Sequence, residues 1–271
     1  RFLSDLSGDP EGTVSIPTTL NSAGCDREQI EEMGIDHKNF LEHQFEIIHA
    51  YSELGIDATL SCTPYDRGVE MESGIGSWAE SNAVCYSNSY TSLMTNRESG
   101  LSALATALTG WAPLWGLHIE SNRIPNILVT VEASMENLAD WSVLGDWIGM
   151  QIKPEWNLPW GLMPRIVGLP TTAGFEERKA LTAAAANYGC PMLWADGLTV
   201  DAPEVPQFEG ELIFAEDDLA ERYAELAPTG TVDLVVIGCP QASVGEARAT
   251  AAAAAGNLPD VIYHTLQYVL P

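Results

Sequence analysis

Between Asp36 and Leu54 the apolar residues fall at Phe40, Leu41, Phe45, Ile48, Tyr51 and Leu54. Three-four spacing puts them on one stripe of a helix, and Gly55 supplies its stop. Before that helix, "TVSIPTTL" (13–20) reads as a strand and "NSAGCD" (21–26) turns out of it. After it, "IDATLSC" (56–62) reads as the next strand. The three form a β-α-β unit, which predicts parallel strands.

Residues 63–100 break the pattern. They are polar and rich in Gly and Ser, yet Trp78, Val84, Tyr86 and Leu93 punctuate them. Polar residues that are nevertheless packed usually line a site. "LSALATALTG" (101–110) is a small-residue helix ending at Gly110, and "IPNILVTVEA" (124–133) is another strand. Residues 151–170 hold four prolines with Trp156 and Trp160 and read as an irregular crossover. A second series follows. Helix 175–189 leads to the apolar run 191–194, helix 216–226 to strand 231–238, and helix 243–256 to strand 260–266. This alternation predicts an α/β fold with parallel-sheet layers in two blocks, 1–150 and 151–271. There is no internal repeat, and the alanine run 251–255 is a good helix former.

Composition changes this picture in three ways. With 46% hydrophobic residues over 271 positions, the chain can bury a sizeable core. Its formal charge is −26, from 38 acids against 12 bases. Such a surface repels nucleic acid and anionic lipid, which require clustered Lys and Arg. The acids are spread along the whole chain, which favours a solvated surface adapted to high salt over a cation-binding one. An anionic substrate then needs local positive charge, so the few arginines are informative. Five cysteines at 25, 62, 85, 190 and 239 form no CxxC and no short disulfide framework. With no secretory signal and no stretch long and apolar enough to span a membrane, the expectation is reduced thiols in the cytoplasm. The chain opens without methionine inside a loop-like stretch, which reads as a fragment or a processed piece.

Two cysteines share a layout. Cys62 in "SCTPY" and Cys239 in "IGCPQAS" each follow an apolar run and precede a proline within two residues. Corners at the ends of strands are where open α/β sheets hold ligands. Both residues can also be buried small hydrophobes, the common fate of free cysteine. A nucleophilic role is weaker, because no histidine lies near either in sequence. "TNRESG" (95–100) offers Asn96, Arg97 and Glu98, where Arg97 suits a carboxylate or phosphate or a local surface pair with Glu98. "WAESNAVCYSNS" (78–89) offers Glu80, Ser81, Asn82 and Asn88. Glu80 is an acid/base candidate if burial raises its pKa, and capping is the alternative. "GLHIESNR" (116–123) adds His118, Asn122 and Arg123, and a lone histidine is commonly structural.

The ordered set "PTTLNSAG", "SCTPY", "WAESNAV" with "YSNS", "TNRESG" with "SALA", "GLH" with "NR", and "IGCPQAS" resembles the large subunit, or catalytic domain, of the aconitase X family. The likeness runs from about Pro17 to about Gly256. It implies an aconitase-like fold and an iron-dependent hydro-lyase. Family members include archaeal phosphomevalonate dehydratases and bacterial cis-3-hydroxyproline dehydratases. "TNRESGLSALATALTG" is closer to the archaeal form and "ESN" at 80–82 to the bacterial one. An acidic, lysine-poor chain fits a salt-adapted archaeal host.

The resemblance makes Cys62 and Cys239 two of three cysteine ligands of a 4Fe–4S cluster, with a 2Fe–2S cluster or mononuclear iron as alternatives. The family's third cysteine falls beyond this chain's last residue, and its large subunit begins earlier. A small subunit or swivelling domain supplies a serine thought to act in proton transfer. Dehydrating a hydroxy acid needs a Lewis acid on the departing hydroxyl, a base, and fixed groups that hold the anionic parts. Ser81, Asn82, Asn88, Asn96, Arg97 and His118 are the substrate-binding candidates, with Glu80 and Glu98 as supporting groups. The implied reaction is dehydration of mevalonate 5-phosphate. Dehydration of cis-3-hydroxyproline or another hydroxy acid is the alternative, and a non-catalytic assembly subunit is the third reading.

Overall fold

The computed structural model describes residues 12–21, 38–67, 73–230 and 237–254. The chain divides into two compact units, each made of separated segments. One comprises Arg1–Val69, Gly100–Trp111 and Val232–Pro271, and the other Glu70–Ser99 and Ala112–Thr231. The blocks expected from the sequence, 1–150 and 151–271, do not follow these lines, because one sheet takes strands from both sides of residue 150.

In the first unit, helix α1 (Lys38–Glu53) turns Leu41 and Ala50 inward and ends at Gly55, whose φ is +85°. Only a glycine takes that left-handed value without strain. Leu54, Ile56 and Leu104 form a small core with Val14, Leu20, Tyr51 and Leu108. Leu104 comes from helix α3 (Gly100–Thr109), whose Ala107 carbonyl accepts from the Ser15 amide at 2.8 Å. The strands expected over 13–20 and 56–62 reduce to one parallel bridge, Thr19 with Asp57. The parallel direction is as expected. Pro17 lacks a ladder donor and Leu60 sits at φ +50°, so neither segment can extend the pairing. The last described helix, α7 (Val244–Ala254), matches the expected helix over 243–256. Most of the strand expected at 231–238, and all of that at 260–266, lies outside the described residues.

The second unit opens with a β-α-β unit inside the polar stretch. Strand β1 (Gly74–Trp78) runs into helix α2 (Ser81–Tyr90) and strand β2 (Leu93–Arg97), with β1 and β2 parallel from Gly74 opposite Leu93 to Trp78 opposite Arg97. A loop with two short 3-10 turns leads to strand β3 (Ile127–Val131). Helix α4 (Leu138–Met150), strand β4 (Pro164–Val167), helix α5 (Phe175–Asn187), strand β5 (Trp194–Ala195), strand β6 (Gly210–Phe214) and helix α6 (Glu216–Leu226) follow. The parallel sheet has the order β5-β4-β3-β6. Ile127, Val129 and Val131 alternate inward along β3 and meet Leu144, Ile148 and Leu181 in the main core. The crossover expected at 151–170 contains β4, and α4 and β6 were not expected. Pro164 begins β4, the position in a strand that tolerates a missing donor.

Helices α4 and α5 approach closely. A Cβ on Gly145 would lie 2.5 Å from the Leu181 carbonyl oxygen and 3.0 Å from the Ala185 nitrogen. Gly145→Ala therefore loses the usual helix-propensity gain of about 1 kcal/mol and destabilises the protein by about 3 kcal/mol, read as a lower urea midpoint. A second test is alkaline. Tyr223 donates to Asp140 Oδ1 at 2.7 Å, and its phenol is pushed up to about 12 from 10.0 by burial and by that bond. The neutral phenol stabilises the fold fully below pH 10, and this contribution is lost as pH rises through about 12. Tyr223→Phe flattens the fall in urea midpoint over that interval.

Candidate functional site

In the first unit the two cysteine corners meet. The Cys62 amide donates to Gln241 Oε1 at 3.3 Å, and the Gln241 amide donates to Cys62 Sγ at 3.2 Å, across 179 positions of chain. Gln241 Nε2 also reaches the Leu60 carbonyl at 3.5 Å. Ser61 and Thr63, both buried, flank Cys62 and share a hydroxyl–hydroxyl bond at 3.2 Å. Cys62 is half-buried and Cys239 exposed. Leu60 and Cys239, at φ +50° and +56°, are the two non-glycine residues with positive φ among those described. Each such residue stores roughly 1–3 kcal/mol of backbone strain, and such outliers gather at functional sites. Two thiols on tied corners, one receiving an amide N–H, suit a soft metal held by thiolates. Among the described residues no group of three His, Cys, Asp or Glu can hold a metal ion.

In the second unit the polar motifs turn on one another. Asn88 on α2 is 1% exposed. Its Nδ2 donates to the Thr95 and Pro191 carbonyls at 2.8 and 2.9 Å, and its Oδ1 accepts from the Thr95 amide at 3.0 Å and Arg123 Nη1 at 2.8 Å. Both donors and both lone pairs are spent. Asn96 likewise holds the loop, donating to the Trp115 carbonyl at 3.0 Å and accepting from the Leu117 amide at 2.7 Å. Gly116 faces it at φ +59°, where a Cβ would lie 2.3 Å from Asn96 Oδ1. The buried His118 ring sets Nδ1 2.8 Å from the Pro113 carbonyl and Nε2 3.0 Å from the Gly76 carbonyl.

The substrate-binding candidates Asn88, Asn96 and His118 thus all have protein partners in this structure. Their hydrogen-bonding groups are engaged inside the unit, and they lock β1, α2 and β2 to the loop 113–123. Arg123 joins them, bonding Asn88 Oδ1, the Asn88 carbonyl at 2.9 Å and the Leu117 carbonyl at 3.4 Å. Burial lowers its pKa from the ordinary value, and nearby Glu120 partly offsets this.

A different set gathers at the carboxyl ends of β1 and β2. Trp78 pairs with Arg97, and the Glu98 amide donates to the Trp78 carbonyl at 2.9 Å, so Glu80, Ser81, Asn82, Arg97 and Glu98 share this end. Asn82 donates to Glu80 Oε1 at 3.1 Å. Arg97 is exposed and makes no ion pair with the described residues. The α2 N-terminus has no side-chain cap and no acid in its first turn. The other helices of this unit begin on acids: Asp140 in α4, Glu177 in α5 and Asp218 in α6 each accept a backbone amide. At α2 the acid is instead the N-cap residue itself, Glu80, whose side chain makes no capping bond, and Arg97 stands at the same strand ends.

Gln241 and the Arg123 lock were not singled out from the sequence. A long polar side chain directly after a cysteine–proline corner, and an arginine in a core-bound loop, were the available signals. Asn88→Ala removes the side-chain bonds to the Thr95 amide and the Thr95 and Pro191 carbonyls and one of the acceptors of Arg123, and costs about 3 kcal/mol. Arg123→Lys is also destabilising, because one ammonium cannot serve oxygens on both sides of Asn88. Urea unfolding of both variants checks this.

Residues 1–121 match the family described as the aconitase X first domain. The phosphomevalonate dehydratase large subunit of Methanosarcina mazei is 35% identical over 256 residues, covering 93% of this chain and 60% of that protein. That of Methanothermobacter thermautotrophicus is 35% identical over 264 residues, covering 96% and 63%. The cis-3-hydroxy-L-proline dehydratase of Pseudomonas aeruginosa is 31% identical over 272 residues, covering 95% and 45%. The chain thus spans about three-fifths of the length of the first two relatives. The crystal structure of Thermococcus kodakaraensis aconitase X in its holo-form superposes with a TM-score of 0.76 at 31% identity, covering 92% of this chain and 62% of that one. A matched first domain, relatives in sequence over nearly all of this chain and a shared α/β architecture lead to one assignment: the chain belongs to the aconitase X family.

Proposed function

We propose that the chain is the large-subunit portion of an iron-dependent hydro-lyase that dehydrates mevalonate 5-phosphate. The observation that carries this is the pair of tied, strained cysteine corners at Cys62 and Cys239. Their thiols would hold iron, as an iron–sulfur cluster or a mononuclear ion, with a further ligand from outside the described residues. Iron bound there supplies Lewis acidity toward the departing hydroxyl. The Gln241 amide would stabilise the Cys62 thiolate by donating to its sulfur.

At the carboxyl ends of β1 and β2, Arg97 is one local source of positive potential in an acidic protein and suits an anionic group such as a phosphate or carboxylate. Ser81 offers a hydroxyl there, and Glu80 orients Asn82. Glu98 lies at the same end and would position the neighbouring groups. The relatives' designation as large subunits supports a small-subunit partner, which would bring the proton-transferring serine. Thiols that must stay reduced to bind iron put the enzyme in the cytoplasm.

The test is anaerobic production of the complete large subunit with its small-subunit partner, followed by iron analysis and product identification. Mevalonate 5-phosphate is dehydrated and cis-3-hydroxyproline is not. The reverse outcome transfers the site to the amino-acid branch of the family. Cys62→Ser and Cys239→Ser each remove most of the iron and lower turnover at least 100-fold. Arg97→Ala raises KM for mevalonate 5-phosphate about tenfold, equivalent to roughly 1.4 kcal/mol of binding. A change below threefold removes Arg97 from the anion site.

A further inference from the structure

Two other cysteines of the second unit lie side by side in its core. Cys85 on α2 and Cys190, ahead of β5, place their sulfurs 4.0 Å apart, with 0% and 2% exposure. The backbone around them is clipped on one side. Asn88 Nδ2 donates to the Pro191 carbonyl at 2.9 Å, and the Leu193 amide donates to Ser89 Oγ at 2.9 Å. These bonds hold α2 against residues 190–193 whatever the thiols do. Cys190 Sγ donates to the Met192 carbonyl at 3.2 Å, so its thiol has a settled place while reduced.

We propose that Cys85 and Cys190 form a latent redox lock, closing under oxidation to a disulfide that staples α2 to the segment entering β5. The sulfurs must move from 4.0 Å to about 2.05 Å. With the backbone held by its neighbours, side-chain rotation carries that motion. In closing, the two thiols release two protons and two electrons and gain one S–S bond. A low-molecular-weight disulfide accepts the electrons and protons and becomes two thiols. Diamide does the same when its N=N bond is reduced to a hydrazine. Burial also holds the Cys85 thiol well above its ordinary pKa, with Cys190 adding to the effect, so the pair stays reduced until the unit opens enough to admit an oxidant. Once formed, the bond encloses 105 positions of chain and restricts the unfolded state.

The proposal does not depend on the cysteines at 62 and 239 or on the reaction. The full chain, purified anaerobically, is treated with diamide in its folded state, denatured with iodoacetamide and mapped by mass spectrometry without reductant. The expected product is a peptide pair joining Cys85 to Cys190, two mass units below the sum of its thiols and released by dithiothreitol. The melting temperature is expected to rise by at least about 5 °C on oxidation and to return on reduction. Cys190→Ala abolishes both effects. Recovery of Cys85 and Cys190 as alkylated thiols overturns the proposal, whatever the other cysteines do. So does either one joined to a different cysteine, or a cross-link that leaves the melting temperature unchanged.

Discussion

A buried guanidinium hydrogen-bonded to neutral oxygens holds the second unit's polar half together. Arg123 is 7% exposed, and its bonds go to neutral oxygens of Asn88 and Leu117. Burying a charge is costly unless its donors are met, and here oriented dipoles meet them. Asn88 becomes indispensable as a result, since it supplies both a side-chain and a main-chain oxygen to the cation. Its remaining groups fix Thr95 and Pro191. Through this one node the β-α-β unit, the loop 113–123 and the lead into β5 become a single piece. A segment too polar for an ordinary core is thereby packed as tightly as one.

That node also separates two kinds of polar residue that look alike in sequence. Asn88, Asn96 and His118 spend their hydrogen bonds inward and build a frame. Arg97 and Ser81, which neighbour them in the same motifs, stand at the strand ends with capacity left over. The contrast is sharpened by charge. In a chain of −26 the default occupant of a helix N-terminus is an acid, as in α4, α5 and α6. At α2 the acid sits one step earlier, at the N-cap as Glu80, and makes no capping bond to the helix amides.

Much of the architecture was legible in the chain. The stripe from Phe40 to Leu54, the alternation at 127–131 and the helices at 175–187 and 216–226 each carry their own period or stop signal. What escaped did so for physical reasons. Strand β4 hides behind Pro164, and the segments around 13–20 and 56–62 look like strands but are broken by Pro17 and the left-handed Leu60. The core helix α4 is apolar on nearly every face, so it offers no stripe to read. At the candidate site, residue type was readable and orientation was not. Whether Asn96 faces a ligand or the Leu117 amide depends on Gly116 approaching to within a Cβ's width. That is a tertiary fact with no one-dimensional signature.

The cysteine corners show where local preference and retained chemistry conflict. At φ +56° position 239 favours glycine, and Gly238 immediately precedes it, so a glycine pair would relieve the strain at no cost in packing. The exposed Cys239 side chain contributes little burial that would offset the strain. Neither backbone preference nor burial therefore accounts for a cysteine at this position. Cys62 supports the same argument from the other side. Leu60 takes up the left-handed turn that aims the corner, and Gln241 fixes both the amide and the sulfur of Cys62. A left-handed residue at each corner and directed hydrogen bonds from Gln241 to Cys62 together hold two thiol-bearing segments against each other within the first unit.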